Sequence, residues 1–111
     1  MTPNKVIESV DRLRPNAYDS ETKLSWINTL DGMVNRLVLQ AETEREYVYP
    51  DDMDTELVIP HPFDSLYGLY IESMIDYYNR EYGNYNNSAM LFEARFSEFK
   101  KEYIRKHKVK E

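Results

Sequence analysis

The side chains able to do chemistry are few and far apart. Of the two histidines, His61 stands between Pro60 and Pro62 and His107 lies in a basic run, so neither has a spacing that defines a metal pair or an acid–base pair. No HExxH, GxSxG or glycine-rich phosphate loop occurs, and three glycines in the whole chain make a phosphate cradle hard to build. The run DDMDTE offers Asp51, Asp52, Asp54 and Glu56, oxygen donors of the type calcium takes. It lacks the glycine turn and the distant bidentate glutamate of a calcium loop, so it reads as a solvated or partner-facing acidic surface. With no cysteine, disulfides, thiolate nucleophiles and thiolate metal sites are excluded together. The expectation is a protein that is not an enzyme and uses no cofactor or metal.

Charge is the more informative chemistry. The formal charge of −6 argues against a general nucleic-acid binder, because phosphate contacts need a basic surface. Glu42, Glu44, Glu46, Asp51, Asp52, Asp54 and Glu56 stand against Arg45 alone, whereas Lys100, Lys101, Arg105, Lys106, Lys108 and Lys110 stand against Glu102 and Glu111. The chain therefore has an acidic segment at about 42–61 and a basic C-terminal tail at about 100–111. The basic residues continue a helix at the end where positive charge complements the dipole, and they are suited to an acidic partner.

The elements that position these groups follow from apolar spacing. At 111 residues, 41% hydrophobic and 31% charged, the chain reads as one soluble globular domain spanning 1–111. Runs such as LVL at 37–39 are far too short to cross a membrane, and the first residues lack the apolar core of a secretory signal, so a cytoplasmic protein is expected. Thr2 as N-cap, Pro3 in the first turn and Val6, Val10 and Leu13 on one face predict a first helix that Pro15 ends. Asp19 or Ser20 caps a second, with Ile27, Leu30, Val34, Leu37 and Ala41 as its stripe, broadened by Trp26 and Met33.

Pro62 is placed in the first turn of a third helix, on which Leu66, Leu69, Tyr70, Met74 and Tyr77 form one stripe and Tyr67, Ile71, Ile75 and Tyr78 another. Such breadth calls for burial on two sides. Tyr85, Ala89, Phe92, Phe96, Phe99 and Tyr103 repeat at alternating spacings of four and three and give a fourth helix the cleanest period in the chain. Between the last two helices, DYYNREYGNYNNS reads as a corner, with Gly83 as the left-handed residue that closes the third helix and Asn84, Asn86 and Asn87 in caps and turns. The fold expected is all-α, a four-helix bundle-like domain with a long acidic loop between helices 2 and 3 that reaches outside the bundle. A connection of that length tends to be functional when ordered.

Taken together, MTPNKVIESVDRLRPNAYDSETKLSWINTLDG, an acidic proline-containing loop, and LVIPHPFDSLYGLYIESMIDYYNREYGNYNNSAMLFEARFSEFKKEY resemble the head-tail connector proteins of Gram-positive tailed phages and prophages. The resemblance runs over nearly the whole chain and is carried most by DxETKLxWI at 19–27 and DYYNxEYGxYNNS at 76–88. It implies an adaptor in the virion neck, assembled in the host cytoplasm as a ring of roughly a dozen copies whose head-to-tail contacts close by rotation. Its partners would be itself, the portal protein, and a stopper or tail-completion protein, with DNA passing through unbound and no membrane involved. Lys100, Lys101, Arg105, Lys106 and Lys108 are then candidate ring or partner contacts. Glu44, Glu46, Asp51, Asp52, Asp54 and Glu56 are candidates for an acidic lumen, which suits a duplex that must slide, or for a partner-facing loop. The alternative is a small helical nucleic-acid-binding or regulatory phage protein. That reading requires exposed Arg, Lys, Asn or Gln clustered at the start of a recognition helix, and no predicted helix offers such a set.

Overall fold

The computed structural model describes residues 1–40 and 46–106, and within them the chain is all-helical with four helices in a bundle-like arrangement. Helix α1 spans Pro3–Leu13, α2 spans Ser20–Val34 and runs on through a π-helical turn at Asn35–Leu39, α3 spans Ser65–Tyr78, and α4 spans Tyr82–Lys106. No strand occurs among the described residues, and no helix there is long and apolar enough to cross a membrane.

The first two helices start where their capping residues stand. Thr2 is extended and accepts from the Lys5 N–H at 3.3 Å, and Asp19 accepts from the Thr22 N–H at 2.8 Å, a bond that holds the Asp19 carboxyl below its ordinary pKa. Val6, Ile7 and Val10 bury the inner face of α1, but Leu13 turns outward and is 76% exposed. On α2 the stripe Ile27, Leu30, Val34 is buried as expected, and then its register changes. The π turn adds a residue per turn, so Val38 rather than Leu37 meets the core, and Leu37 is exposed. Ala41, the last expected member of the stripe, lies outside the described residues.

Helix α3 is the centre of the molecule and packs against each of the other three helices. Its two stripes are both used as far as Ile75: Leu66, Tyr67, Ile71 and Ile75 are buried outright, and Leu69, Tyr70 and Met74 pack around them. Tyr77 and Tyr78, the last member of each stripe, lie at the corner and are exposed. It begins at Ser65, three residues later than predicted. Pro62 belongs instead to a turn closed by the Phe63 N–H to the Pro60 carbonyl at 2.9 Å, and Asp64, expected in the first turn, is the N-cap residue.

The corner between α3 and α4 also closes early. Arg80, not Gly83, takes the left-handed conformation at φ 61°, and Gly83 lies inside the first turn of α4. The Arg80 N–H reaches the Tyr77 carbonyl at 3.1 Å and the Glu81 N–H reaches the Asp76 carbonyl at 2.9 Å, the paired bonds of a Schellman motif. Asn84, Asn86 and Asn87 are accordingly helical residues rather than turn formers.

Helix α4 presents its predicted stripe inward, with Phe92 and Phe99 buried and Tyr85, Ala89, Phe96 and Tyr103 half-buried. At 25 residues it outruns the 14-residue α3. At a rise of about 1.5 Å per residue the overhang is roughly 16 Å. Phe99 is packed there against Phe63, with ring centroids 5.4 Å apart.

The segment from 46 to 64 does not reach outside the bundle but lies across it. Tyr47, Met53, Leu57 and Ile59 point inward and join the core, and burying their apolar surface holds the segment against the bundle. Its backbone is pinned as well: the Asn4 N–H donates to the Met53 carbonyl and the Leu57 N–H to the Met1 carbonyl, each at 2.9 Å. The Asn28 side chain clamps Tyr47 from both sides, accepting from its N–H at 2.7 Å and donating to its carbonyl at 2.9 Å.

Candidate interaction surfaces

The predicted basic residues lie on the last turns of α4. Lys100, Lys101, Arg105 and Lys106 are all exposed there, and Lys108 lies outside the described residues. They do not form one uniform patch. Glu102 takes Arg105 at 2.5 Å and Lys106 at 3.6 Å; its carboxyl is pushed below the usual range, chiefly by the hydrogen bond from Arg105, and the Arg105 guanidinium is pushed up in turn. Lys100 and Lys101 have no acidic partner among the described residues. Between them on the helix surface, four and three residues on, stands Ile104, half exposed to water. The sequence reading passed over Ile104 because it lies off the buried stripe of α4.

The acidic candidates divide in a similar way. Asp52 accepts from the Val48 N–H at 2.8 Å and Asp54 from the Asn4 side-chain amide at 2.8 Å, so both carboxylates help to fold the segment. Glu56 meets the Met1 amino group at 2.6 Å. Glu46 and Asp51 are exposed, and Glu44 lies outside the described residues. Beside Glu46 is an open slot of about 280 Å³ between α2 and the 46–49 segment, bordered by Glu21 and Glu46, with buried Leu24 as floor and exposed Val48 and Tyr49 as wall. A second groove, about 360 Å³ and more apolar, runs between α1, α3 and α4, with exposed Leu13 and Leu91 along it and Glu72 and Arg95 in its lining.

Two buried polar clusters hold these surfaces in place, and sequence reasoning missed both. Asp31 on α2 is fully buried and accepts from the Tyr67 hydroxyl at 2.6 Å and the Tyr47 hydroxyl at 2.7 Å, while the Tyr67 oxygen accepts the Ile59 N–H at 2.9 Å. Burial raises the Asp31 carboxyl above its ordinary pKa, against the pull of its hydrogen bonds, and burial together with the Asp31 charge raises the Tyr67 hydroxyl. The warning in the sequence was the position of Asp31, four residues beyond Ile27 and therefore on the apolar stripe.

At the other end of α3, Arg14 pairs with buried Asp76 and, at 3.0 Å, with Glu81, and the Ser88 hydroxyl donates to Asp76 at 2.9 Å. One residue from each of α3 and α4, plus the α1 terminus and the corner, thus meet in one knot. The bond to Asp76 raises the Arg14 guanidinium.

The tyrosine-rich corner packs as an aromatic cap. Trp26 is buried between Tyr18, edge-on at 5.4 Å, and Tyr78, stacked at 5.7 Å, and Tyr77 meets Tyr85 at 5.4 Å. His61 is exposed beside Asp64 at 3.5 Å, and among the described residues no group of three His, Asp or Glu side chains is placed to hold a metal ion. Compared with protein-family models, curated proteins and solved structures, the chain matches none.

Proposed function

We propose that this chain is a structural phage assembly protein, a head-tail connector that forms a ring beneath the portal and joins the DNA-filled head to the tail or stopper. The observation that carries the reading is the placement of charge on a rigid frame. An acidic segment folded down onto α1 and α2 supplies one interaction surface, and the overhanging end of α4 presents lysines flanking an exposed isoleucine as another. Two unlike surfaces on one small domain suit heterologous contacts, which close into rings. The resemblance of the 19–27 and 76–88 segments to connector proteins supports the same assignment. Exposed Asp51 suits a channel or rim that repels the DNA backbone, so the duplex passes without being held, and exposed Glu46 suits the partner-facing side of the segment.

Electron microscopy of lysates from the parent phage or prophage with this gene deleted tests the proposal. Finished tails beside unattached heads that have lost their DNA are the expected result. Intact, joined particles would overturn it.

A further inference from the structure

The two unlike surfaces are complementary in detail, and we infer that they are the two halves of one contact between copies: the Lys100–Ile104 face of α4 in one subunit seats in the Glu21–Glu46 slot of the next. This deepens the connector reading and rests on it for its biological setting.

Three observations carry the inference. The first is charge. Lys100 and Lys101 on one surface, and Glu21 and Glu46 on the other, are exposed and form no ion pair among the described residues, so each surface retains a charge for which the other is the counterpart. Arg105 and Lys106, by contrast, are already engaged by Glu102. The second is the apolar element inside each charged frame. Ile104 projects between the two lysines, and the slot of about 280 Å³ between the two glutamates is walled by Val48 and Tyr49 over Leu24. An apolar knob within a basic rim, and a recess within an acidic rim whose Leu24, Val48 and Tyr49 stand beside Ser25 and Asn28, have the layout of an interface centre surrounded by polar residues.

The third is rigidity. Ile104 stands on a helix held at its overhang by Phe99 against Phe63, and the slot is held by the Asn28 clamp on Tyr47 and by the bond from the Tyr47 hydroxyl to Asp31. Neither surface needs to refold to dock. A second copy is the occupant because the chain itself carries both halves. A contact between different patches is heterologous and propagates from subunit to subunit until it closes.

The chain has no cysteine, so site-directed cross-linking reports the contact without background. Val48→Cys and Ile104→Cys proteins, purified separately and mixed with a short bis-maleimide, should give a mixed cross-linked dimer in preference to either homodimer. Adding Lys100→Glu and Lys101→Glu to the Ile104→Cys protein should reduce that product by about tenfold or more, since it sets like charges face to face. Adding Glu21→Lys and Glu46→Lys to its Val48→Cys partner should restore it. Restoration by the double exchange also shows that both charge-reversed chains are folded. Equal yields from all pairs, no mixed product at the highest attainable concentration, or a yield indifferent to the charge exchanges would each overturn the contact. Such a failure would leave the gene-deletion result untouched, because a connector can join its neighbours through other faces; joined particles in the deletion would in turn not alter the cross-linking result.

Discussion

The hydroxyl of Tyr67 on α3 donates to Asp31 on α2 at 2.6 Å, and neither side chain reaches solvent. Through this bond the acidic segment is tied to the bundle, because the same Tyr67 oxygen accepts the Ile59 N–H and the same carboxylate accepts the Tyr47 hydroxyl. The surface that carries Glu46 and Asp51 is therefore fixed by a polar cluster beneath it rather than by its own exposed residues.

Removing the Tyr67 hydroxyl tests that dependence. Tyr67→Phe leaves the Ile59 N–H and one Asp31 oxygen buried without this partner, at a cost of about 1–3 kcal/mol for each group. Chemical denaturation should show that loss. Hydrogen exchange should show it concentrated in the 46–64 segment.

The Asp31 carboxyl also sets a pH dependence. Burial raises its folded-state pKa above 3.8, so the folded chain holds this proton to a higher pH than the unfolded chain does. The contribution of this group is present in full below its unfolded value and is lost as pH rises through the folded one. Measured against Asp31→Asn, which has no proton to lose, the wild-type protein should lose relative stability as pH increases above about 3.8 and level off once the folded value is passed. A stability difference that stays flat across that range would contradict the assignment.

The corner offers a gain rather than a loss. Arg80 holds φ 61°, where a side chain costs roughly 1–2 kcal/mol relative to glycine. Arg80→Gly should raise the midpoint of unfolding, partly offset by the greater freedom of glycine in the unfolded chain, and Gly83→Ala should be tolerated because no atom stands within 4 Å of an added Cβ. A destabilised Arg80→Gly protein would mean that the corner is held differently.

Much of the fold was legible because helix spacing is a local property. Val6 and Val10, Ile27 to Val34, the two stripes of α3 as far as Ile75, and the Phe92, Phe96, Phe99 series lie where their spacing put them, whereas Tyr77 and Tyr78 at the end of α3 are about half exposed. What was not legible arose from local backbone irregularities that side-chain spacing does not report, and from contacts distant in sequence. Leu37 left the stripe because a π turn shifted the register, and Gly83 lost the corner to Arg80 because the Schellman bonds from Arg80 to Tyr77 and from Glu81 to Asp76 close α3 first. The acidic segment looked like an excursion because its charges dominate its composition. Tyr47, Met53, Leu57 and Ile59, spaced too irregularly for any helix or strand, gave no periodic sign that they face inward. Of the candidate surface residues, the charges were legible, and the spacings of three and four from Glu102 to Arg105 and Lys106 already signal their ion pairs, but the exposed Ile104 between Lys100 and Lys101 needed the folded helix.

The proposed connector role places the chain in the neck of a tailed phage, where a reconstruction of the parent particle by electron cryomicroscopy would reveal it. The expected result is a ring between portal and tail whose repeating unit fits four helices, the longest of them overhanging its hairpin partner and running toward the adjacent subunit. A neck with no density that accepts this fold, in particles from which peptides of this chain are missing by mass spectrometry, would contradict it.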